Sequence, residues 1–268
     1  MSVEVVGRDE ELSSLSEFLG RRALPQGPIA IALEGDAGIG KSTLWRAGVE
    51  EAHARGLRVL SARPAESERG LAHAALGDLF ADVLDDVLPA LTRPRRRALE
   101  VALLVENAPD APVDARALGV AVHGALAALA QDAVIVAIDD LQWLDTPSAE
   151  ALGFALRRLE RMDVRLLWTR RVGERNQAAT VESAFDESRI GRIAVGPLSV
   201  GATHRVLSDL LARPIPRPTL LRLHEVSGGN PFYALELARA LGENAAVSDP
   251  TRPLPVPERS ARNSTVLP

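Results

Sequence analysis

With 268 residues, the chain has room for one sizeable α/β domain and a smaller second unit, since single hydrophobic cores stop growing near this length. Hydrophobic residues make up 46% and charged residues 25%, which excludes a disordered or fibrous chain. A net charge of −5 provides no overall field for nucleic acid or anionic lipid, so we expect no direct DNA binding. The sequence has no cysteine, no signal-like N-terminus and no apolar run of about 18 residues. We therefore expect a cytoplasmic protein without membrane contact.

Five short apolar runs along the chain predict β-strands, and each is separated from the next by enough residues for a helix. This βαβ pattern predicts an α/β fold with a five-stranded, mainly parallel sheet between helices. The continuous apolarity of the third run predicts a strand buried on both faces. The five runs are Ile29–Leu33, Leu57–Ser61, Val134–Ile138, Val164–Thr169 and Arg192–Val195.

Helical periodicity fills the spaces between these strands and continues after them. We predict a core domain over 1–196, a small helical lid subdomain over 197–245 and an unstructured, proline-containing tail over 246–268. The predicted helices are Glu10–Leu19, Ser42–Arg55, Ala72–Leu88, Arg95–Glu106, Asp114–Ala130, Ser148–Arg161, Val200–Leu211, Pro218–Val226 and Pro231–Leu241.

A glycine-rich loop follows the first strand and matches the pattern G-x-x-x-x-G-K-[ST]. Its backbone N–H groups and the N-terminus of the following helix are suited to bind the phosphates of a nucleotide. Lys41 would contact the β- and γ-phosphates, and the Ser42 hydroxyl would bind Mg²⁺. The alternative is a glycine-rich turn that matches by chance. The predicted binding residues are Gly35, Asp36, Ala37, Gly38, Ile39, Gly40, Lys41, Ser42 and Thr43.

Two acidic residues end the third predicted strand, at the edge where α/β sheets bind ligands. We predict that Asp139 holds Mg²⁺ through water and that Asp140 orients or deprotonates the attacking water. An aspartate reaches less far than a glutamate, so slow hydrolysis of the nucleotide is expected. The alternative is that the pair only caps the next helix.

Two arginines follow the fourth predicted strand, and two adjacent arginines lie on the predicted helix before that strand. Arg170 lies at the same predicted edge and would bind the γ-phosphate, which makes it a third catalytic candidate beside Lys41 and Asp140. Its alternative is a solvated basic turn. Arg157 and Arg158 are candidates for an arginine finger acting on another subunit, although a role as surface charge is favoured.

Five motifs stand in order along the chain: VGRDEEL (6–12), GDAGIGKST (35–43), IDDLQWLD (138–145), TRR (169–171) and SGGNPF (227–232). Taken together, they resemble the AAA-type ATPase module of the large ATP-binding LuxR-family transcriptional regulators, which belong to the STAND NTPases. The resemblance implies a nucleotide switch that binds ATP or ADP with Mg²⁺. It also implies that Val6, Gly7 and Arg8 lie over the adenine and ribose, and that Asn230 and Pro231 form a lid motif that closes on the base. From the residues alone, these two segments are only a polar turn and a helix boundary.

Three functional hypotheses follow. The first is a regulatory ATP-binding module whose DNA-binding part is absent, since similar regulators continue into further helices after the segment near Glu258. The second is a standalone AAA-type ATPase that works with other subunits or by self-association. The third is a truncated remnant without function. A small-molecule kinase is disfavoured by the lid motif and the second aspartate.

Overall fold

A computed structural model describes residues 5–21, 27–105, 113–159, 162–173, 178–212 and 214–241. Within these ranges the chain divides into two compact units. The larger unit comprises Glu10–Glu34 and Lys41–Ala194, and the smaller comprises residues 5–9, Gly35–Gly40 and the chain from Val195 onward. The predicted tail lies outside the described residues, and the domain boundaries predicted from the sequence stay predictions.

The larger unit is built on a five-stranded sheet in the order β2-β3-β4-β1-β5. The pairs β1–β5, β2–β3 and β3–β4 are parallel. This confirms the predicted α/β fold, and each strand overlaps its predicted run. The strands are β1 Ala30–Gly35, β2 Arg58–Ala62, β3 Val134–Ile138, β4 Val164–Arg171 and β5 Ile190–Ala194.

Helices cover both faces of this sheet, so every residue of β3 is buried. The main core joins the strands to the apolar sides of the helices that precede and follow β3. The helices of the larger unit are α1 Asp9–Gly20, α2 Lys41–Ala54, α3 Ala74–Phe80, α4 Leu84–Val87, α5 Arg93–Ala102, α6 Ala115–Leu129, α7 Thr146–Leu156 and α8 Ala178–Glu182.

The single helix predicted over Ala72–Leu88 is wrong, because the structure has two short helices there, α3 and α4. Asp78, Asp82 and Asp86 are spaced four residues apart, and like charges at this spacing destabilise a continuous helix. The chain instead makes tighter turns, with the N–H of Val83 donating to the carbonyl of Phe80. Helix α8 was not predicted.

Three helices predicted after the sheet are confirmed in the smaller unit: α9 Val200–Leu211, α10 Arg217–Ser227 and α11 Pro231–Ala240. They share a small core of buried side chains from all three helices. A second cluster packs Val6 against Leu198 and Ala202. Among the described residues, no helix is long and apolar enough to cross a membrane.

Candidate functional site

Glycines shape the loop between β1 and α2. Gly38 and Gly40 have φ angles of 75° and 107°, which residues with a side chain rarely adopt. A Cβ atom on Gly38 would also lie 2.6 Å from the Cβ of Phe232. The loop therefore needs glycine at these positions, as the predicted phosphate-binding conformation requires.

Three consecutive carbonyl groups of this loop accept hydrogen bonds within the smaller unit. Asn230 Nδ2 donates to the Ala37 carbonyl at 2.9 Å, and the Phe232 N–H donates to the Gly38 carbonyl at 3.4 Å. Arg8 Nη2 donates to the Ile39 carbonyl at 2.9 Å. Across a planar trans peptide, each carbonyl points away from the following N–H. The N–H groups of Gly38 and Gly40 thus point away from the donors, in the manner of an anion-binding nest.

The N-terminal segment around Arg8 holds the glycine loop in place through a hydrogen bond, and packs within the smaller unit. Arg8 is buried, and its Nη2 also donates to the Gly196 carbonyl at 2.7 Å. Gly7 has a φ of 67°, and a Cβ there would lie 2.6 Å from the Cβ of Ala202. Val6 packs in the small apolar cluster. These contacts give Val6, Gly7 and Arg8 a structural role, and the nucleotide contacts implied for them stay predictions.

A cavity of about 480 Å³ opens beside the first residues of the loop within the smaller unit. Its volume falls in the range of small-molecule sites. Asn230 lies in its wall and also caps α11, because its Oδ1 accepts from the N–H groups of Phe232 and Tyr233. The lining residues are Asp36, Ala37, Ile39, Pro197, Ser227, Gly228, Asn230 and Tyr233.

Lys41 and Ser42 begin α2 in the larger unit, so the helix N-terminus adds partial positive charge at the end of the loop. Lys41 is buried, and Thr43 is half-buried on the same turn. Ser42 Oγ donates to Asp139 Oδ1 at 3.0 Å. The structure therefore brings together the two residues predicted to bind Mg²⁺, which are 97 positions apart.

Thr169, in the last three residues of β4, joins both predicted aspartates. Its Oγ1 donates to Asp139 Oδ1 at 2.8 Å and accepts from the Asp140 N–H at 2.7 Å. The side chain is fully buried. Sequence reasoning singled out the TRR motif for its arginines and missed Thr169, although a hydroxyl ending the strand next to an acidic strand was a usable signal.

Asp140 is held in an unusual backbone conformation, with a φ of 56°. Such strain in a non-glycine residue is typical of functional positions. Its Oδ1 accepts from Gln142 Nε2 at 2.6 Å, and Gln142 Oε1 accepts from the Arg171 N–H at 3.3 Å. Because Gln142 is fully buried, it fixes the Asp140 carboxylate. The sequence alone assigns no role to Gln142.

Arg170 lies between two carboxylates. It is 2.7 Å from Glu34 and 3.1 Å from Glu182. Burial raises the pKa of Glu182, and Arg170 partly opposes that effect. A guanidinium held by two acids must leave them to reach a phosphate, so the predicted γ-phosphate contact of Arg170 stays a prediction.

The remainder of the acidic motif is structural. The guanidinium groups of Arg69 and Arg171 lie 5.5 and 5.2 Å from the centroid of the Trp143 ring, which supports a packing role for Trp143. Asp145 caps α7 by accepting from the Ser148 N–H at 2.9 Å. It also accepts from the N–H of His73 at 2.9 Å, before α3.

Arg158, one of the two candidate arginine-finger residues, contacts a residue four positions before it. The Arg158 guanidinium lies 3.6 Å from the centroid of the Phe154 ring and donates to the Phe154 carbonyl at 2.6 Å. These contacts favour the surface-charge interpretation for Arg158.

The oxygen atoms around Asp139 fit a magnesium ion. The Ser42 hydroxyl, the Asp139 carboxylate and the Thr169 hydroxyl are hard ligands of the kind that Mg²⁺ prefers. In the part of the chain that the structure describes, no group of three or more His, Cys, Asp and Glu side chains is placed to hold a metal. Ser42 and Asp139 would supply the one or two protein groups that usually bind Mg²⁺ together with substrate phosphates.

A parallel sheet, a glycine loop between β1 and α2, and acidic residues at the end of β3 define the P-loop NTPase class. Within this class the chain belongs to the AAA ATPase domain family, whose model matches residues 4–169.

Solved structures show low similarity. A Walker-type ATPase of Pyrococcus abyssi is 16% identical with a TM-score of 0.48, covering 88% of this chain and 68% of that one. The ORC1 protein of Aeropyrum pernix in complex with DNA is 16% identical with a TM-score of 0.49, covering 93% and 63%. AMPPCP-bound DnaA from Aquifex aeolicus is 16% identical with a TM-score of 0.46, covering 90% and 63%. The chain thus spans less than two thirds of ORC1 and DnaA. No curated protein matches it.

Proposed function

We propose that this chain is an ATP-binding regulatory switch module with slow Mg²⁺-dependent hydrolysis, similar to the ATPase part of a LuxR-family transcriptional regulator. The observation that carries the proposal is the hydrogen bond between Ser42 and Asp139 at 3.0 Å. It joins the hydroxyl that ends the glycine loop to the carboxylate that ends β3, which are the two protein groups that an Mg²⁺–triphosphate needs.

In this proposal the glycine loop binds the phosphates and Lys41 contacts the β- and γ-phosphates. Ser42 and Asp139 hold Mg²⁺, which neutralises charge on the phosphates when it is bound. Asp140 orients water. The Asp140 side chain is shorter than that of a glutamate, and its carboxylate accepts a hydrogen bond from Gln142. Both features support slow hydrolysis.

The regulatory part of the proposal rests on the resemblance of the five motifs. Its physical support is that Asn230 bonds to the loop carbonyl of Ala37 while capping α11. A nucleotide that changes the loop conformation would change this bond, and a switch requires such differential contacts.

The first test is to purify the protein without added nucleotide, denature it and identify what is released by chromatography, with Lys41→Ala in parallel. We expect about one ADP or ATP per wild-type chain and none from the variant. A wild-type protein that is empty, and whose unfolding temperature does not respond to ATP with Mg²⁺, would contradict the proposal. A ligand at 100 times its Kd stabilises the fold by about 2.7 kcal/mol, which is easily measured.

Lys41 permits a second test because it is the only lysine in the sequence. An amine-reactive acyl reagent then has one side-chain target, distinguished from the N-terminal amine by peptide mass spectrometry. We expect ATP with Mg²⁺ to slow acylation of Lys41 and leave the N-terminal amine unchanged. Equal rates with and without nucleotide would count against phosphate binding at this loop.

The rate of hydrolysis separates the proposed switch from a standalone oligomeric AAA-type ATPase. A switch turns over slowly at every protein concentration. Activity that rises with protein concentration would instead indicate an assembled enzyme.

A further inference from the structure

Arg63 lies beside the candidate magnesium carboxylate because of strand pairing. In the β2–β3 ladder Ala62 is opposite Ile138, and the Asp139 N–H donates to the Ala62 carbonyl at 3.0 Å. Arg63 and Asp139 are therefore the first residues after two neighbouring strands. Arg63 Nε lies 3.6 Å from Asp139 Oδ2.

The two partners differ sharply in exposure. The Asp139 side chain is 4% exposed, whereas that of Arg63 is 63% exposed. Asp139 Oδ1 already accepts hydrogen bonds from Ser42 and Thr169, and Oδ2 is the oxygen that faces Arg63. A buried carboxylate is costly without a counter-charge, and Arg63 provides one from the solvent side.

The contact between Arg63 and Asp139 is longer and more exposed than the ion pairs of Arg170. Arg170 is 22% exposed and pairs with two carboxylates, one of them at 2.7 Å. Arg63 has a long side chain with most of its surface in water, so it can move away at little cost.

We propose that Arg63 is a built-in counter-cation of Asp139 that Mg²⁺ must displace, and that it thereby sets the Mg²⁺ concentration needed for nucleotide binding. The inference rests on the proposed function, since it concerns the same site. An ion at Asp139 repels the guanidinium, so the metal and Arg63 exclude each other. Loss of Arg63 removes a competitor and makes the site easier to fill.

The test is a titration of Mg²⁺ against binding of a fluorescent ADP analogue, with free metal set by a chelator. In Arg63→Ala we expect the half-saturating Mg²⁺ concentration to fall about two- to fivefold, the effect of losing an exposed ion pair. Arg63→Lys keeps the charge and should retain the wild-type midpoint. Arg58→Ala is the matched control, because Arg58 begins β2, the strand that Arg63 follows, and pairs with Asp86 at the surface. Its midpoint should not change.

An unchanged midpoint in Arg63→Ala, with wild-type binding intact, would overturn this inference and leave the proposed function standing. A higher midpoint would also overturn it, and would mean that Arg63 assists ligand binding. If the wild-type protein binds no analogue at any Mg²⁺ concentration, the proposed function fails and the inference fails with it. Unfolding temperatures measured in chelator show whether each variant is folded.

Discussion

The side-chain amide of Asn230 donates a hydrogen bond to the carbonyl of Ala37 at 2.9 Å, although 193 positions separate them. The same side chain caps α11 through its oxygen. One residue thus links the conformation of the glycine loop to the start of a helix.

Asn230→Asp separates these two roles. The aspartate keeps a capping oxygen but places a second oxygen opposite the Ala37 carbonyl. We expect binding of ATP with Mg²⁺ to weaken by about tenfold, or about 1.4 kcal/mol, measured by calorimetry. Ser199→Ala is the control, because Ser199 caps a different helix, α9, by accepting from the Ala202 N–H. It should lower stability and leave affinity unchanged. The opposite pattern would refute a role for the Asn230–Ala37 bond in binding.

Thr169→Val tests the hydroxyl that joins the two aspartates. Valine has the same shape but leaves the Asp140 N–H and the Asp139 carboxylate without this partner. We expect a loss of about 1–3 kcal/mol in the free energy of unfolding, measured with urea, together with weaker Mg²⁺-dependent nucleotide binding. Thr169→Ser retains the hydroxyl and should recover most of both. If Thr169→Val has the same unfolding free energy and nucleotide affinity as Thr169→Ser, the hydroxyl contributes to neither.

Gln142→Leu tests the positioning of Asp140. Without the amide, the Asp140 carboxylate loses its 2.6 Å partner and a fixed orientation. We expect hydrolysis to slow by up to about 100-fold, within the range of general-base effects, while the Kd for nucleotide stays at the wild-type value. Gln131→Leu, at an exposed position after α6, is the control. A change in Kd with no change in turnover would contradict positioning.

The Asp145 carboxylate accepts hydrogen bonds from the N–H groups of His73, Ala75 and Ser148, at the starts of α3 and α7. Asp145→Ala therefore removes hydrogen-bond acceptors that serve two helices at once. We expect a cost of about 2–4 kcal/mol in urea unfolding. Asp114→Ala removes the cap of α6 alone, with one N–H bond, and should cost about 1 kcal/mol. Equal costs would show that the contacts with the α3 segment contribute nothing.

The stability of the protein should fall below pH 6.5 partly because of His73. Burial lowers its pKa from the ordinary 6.5, and the Asp145 carboxylate partly opposes this. Between the lowered folded pKa and 6.5, the unfolded chain binds more protons than the folded one, so stability increases with pH and is lost as pH falls. His73→Asn removes the titration, and asparagine tolerates the φ of 65° at this position. Its urea unfolding should depend less on pH between 6.5 and 5; parallel curves would contradict this.

The five strands, the glycine loop, Ser42 and Asp139 were predictable from the sequence because each depends on a local pattern. An apolar run of about five residues marks a strand, and the continuously apolar run of β3 marks one buried on both faces. The pattern G-x-x-x-x-G-K-[ST] marks a loop whose backbone must curl tightly. Residues adjacent in sequence carry that information, so no knowledge of distant neighbours was needed.

The contacts of Arg63, Thr169, Arg170 and Asn230 were decided only by the tertiary structure. The strand order β2-β3-β4-β1-β5 places the end of β3 between those of β2 and β4, and this brings Arg63 and Thr169 to Asp139. The same folding gives Arg170 two carboxylate partners and gives Asn230 a loop carbonyl. A linear pattern identifies an arginine or a threonine near the end of a strand. Whether that side chain contacts an acid, a hydroxyl or water depends on which strand ends become neighbours, because long-range packing sets the strand order.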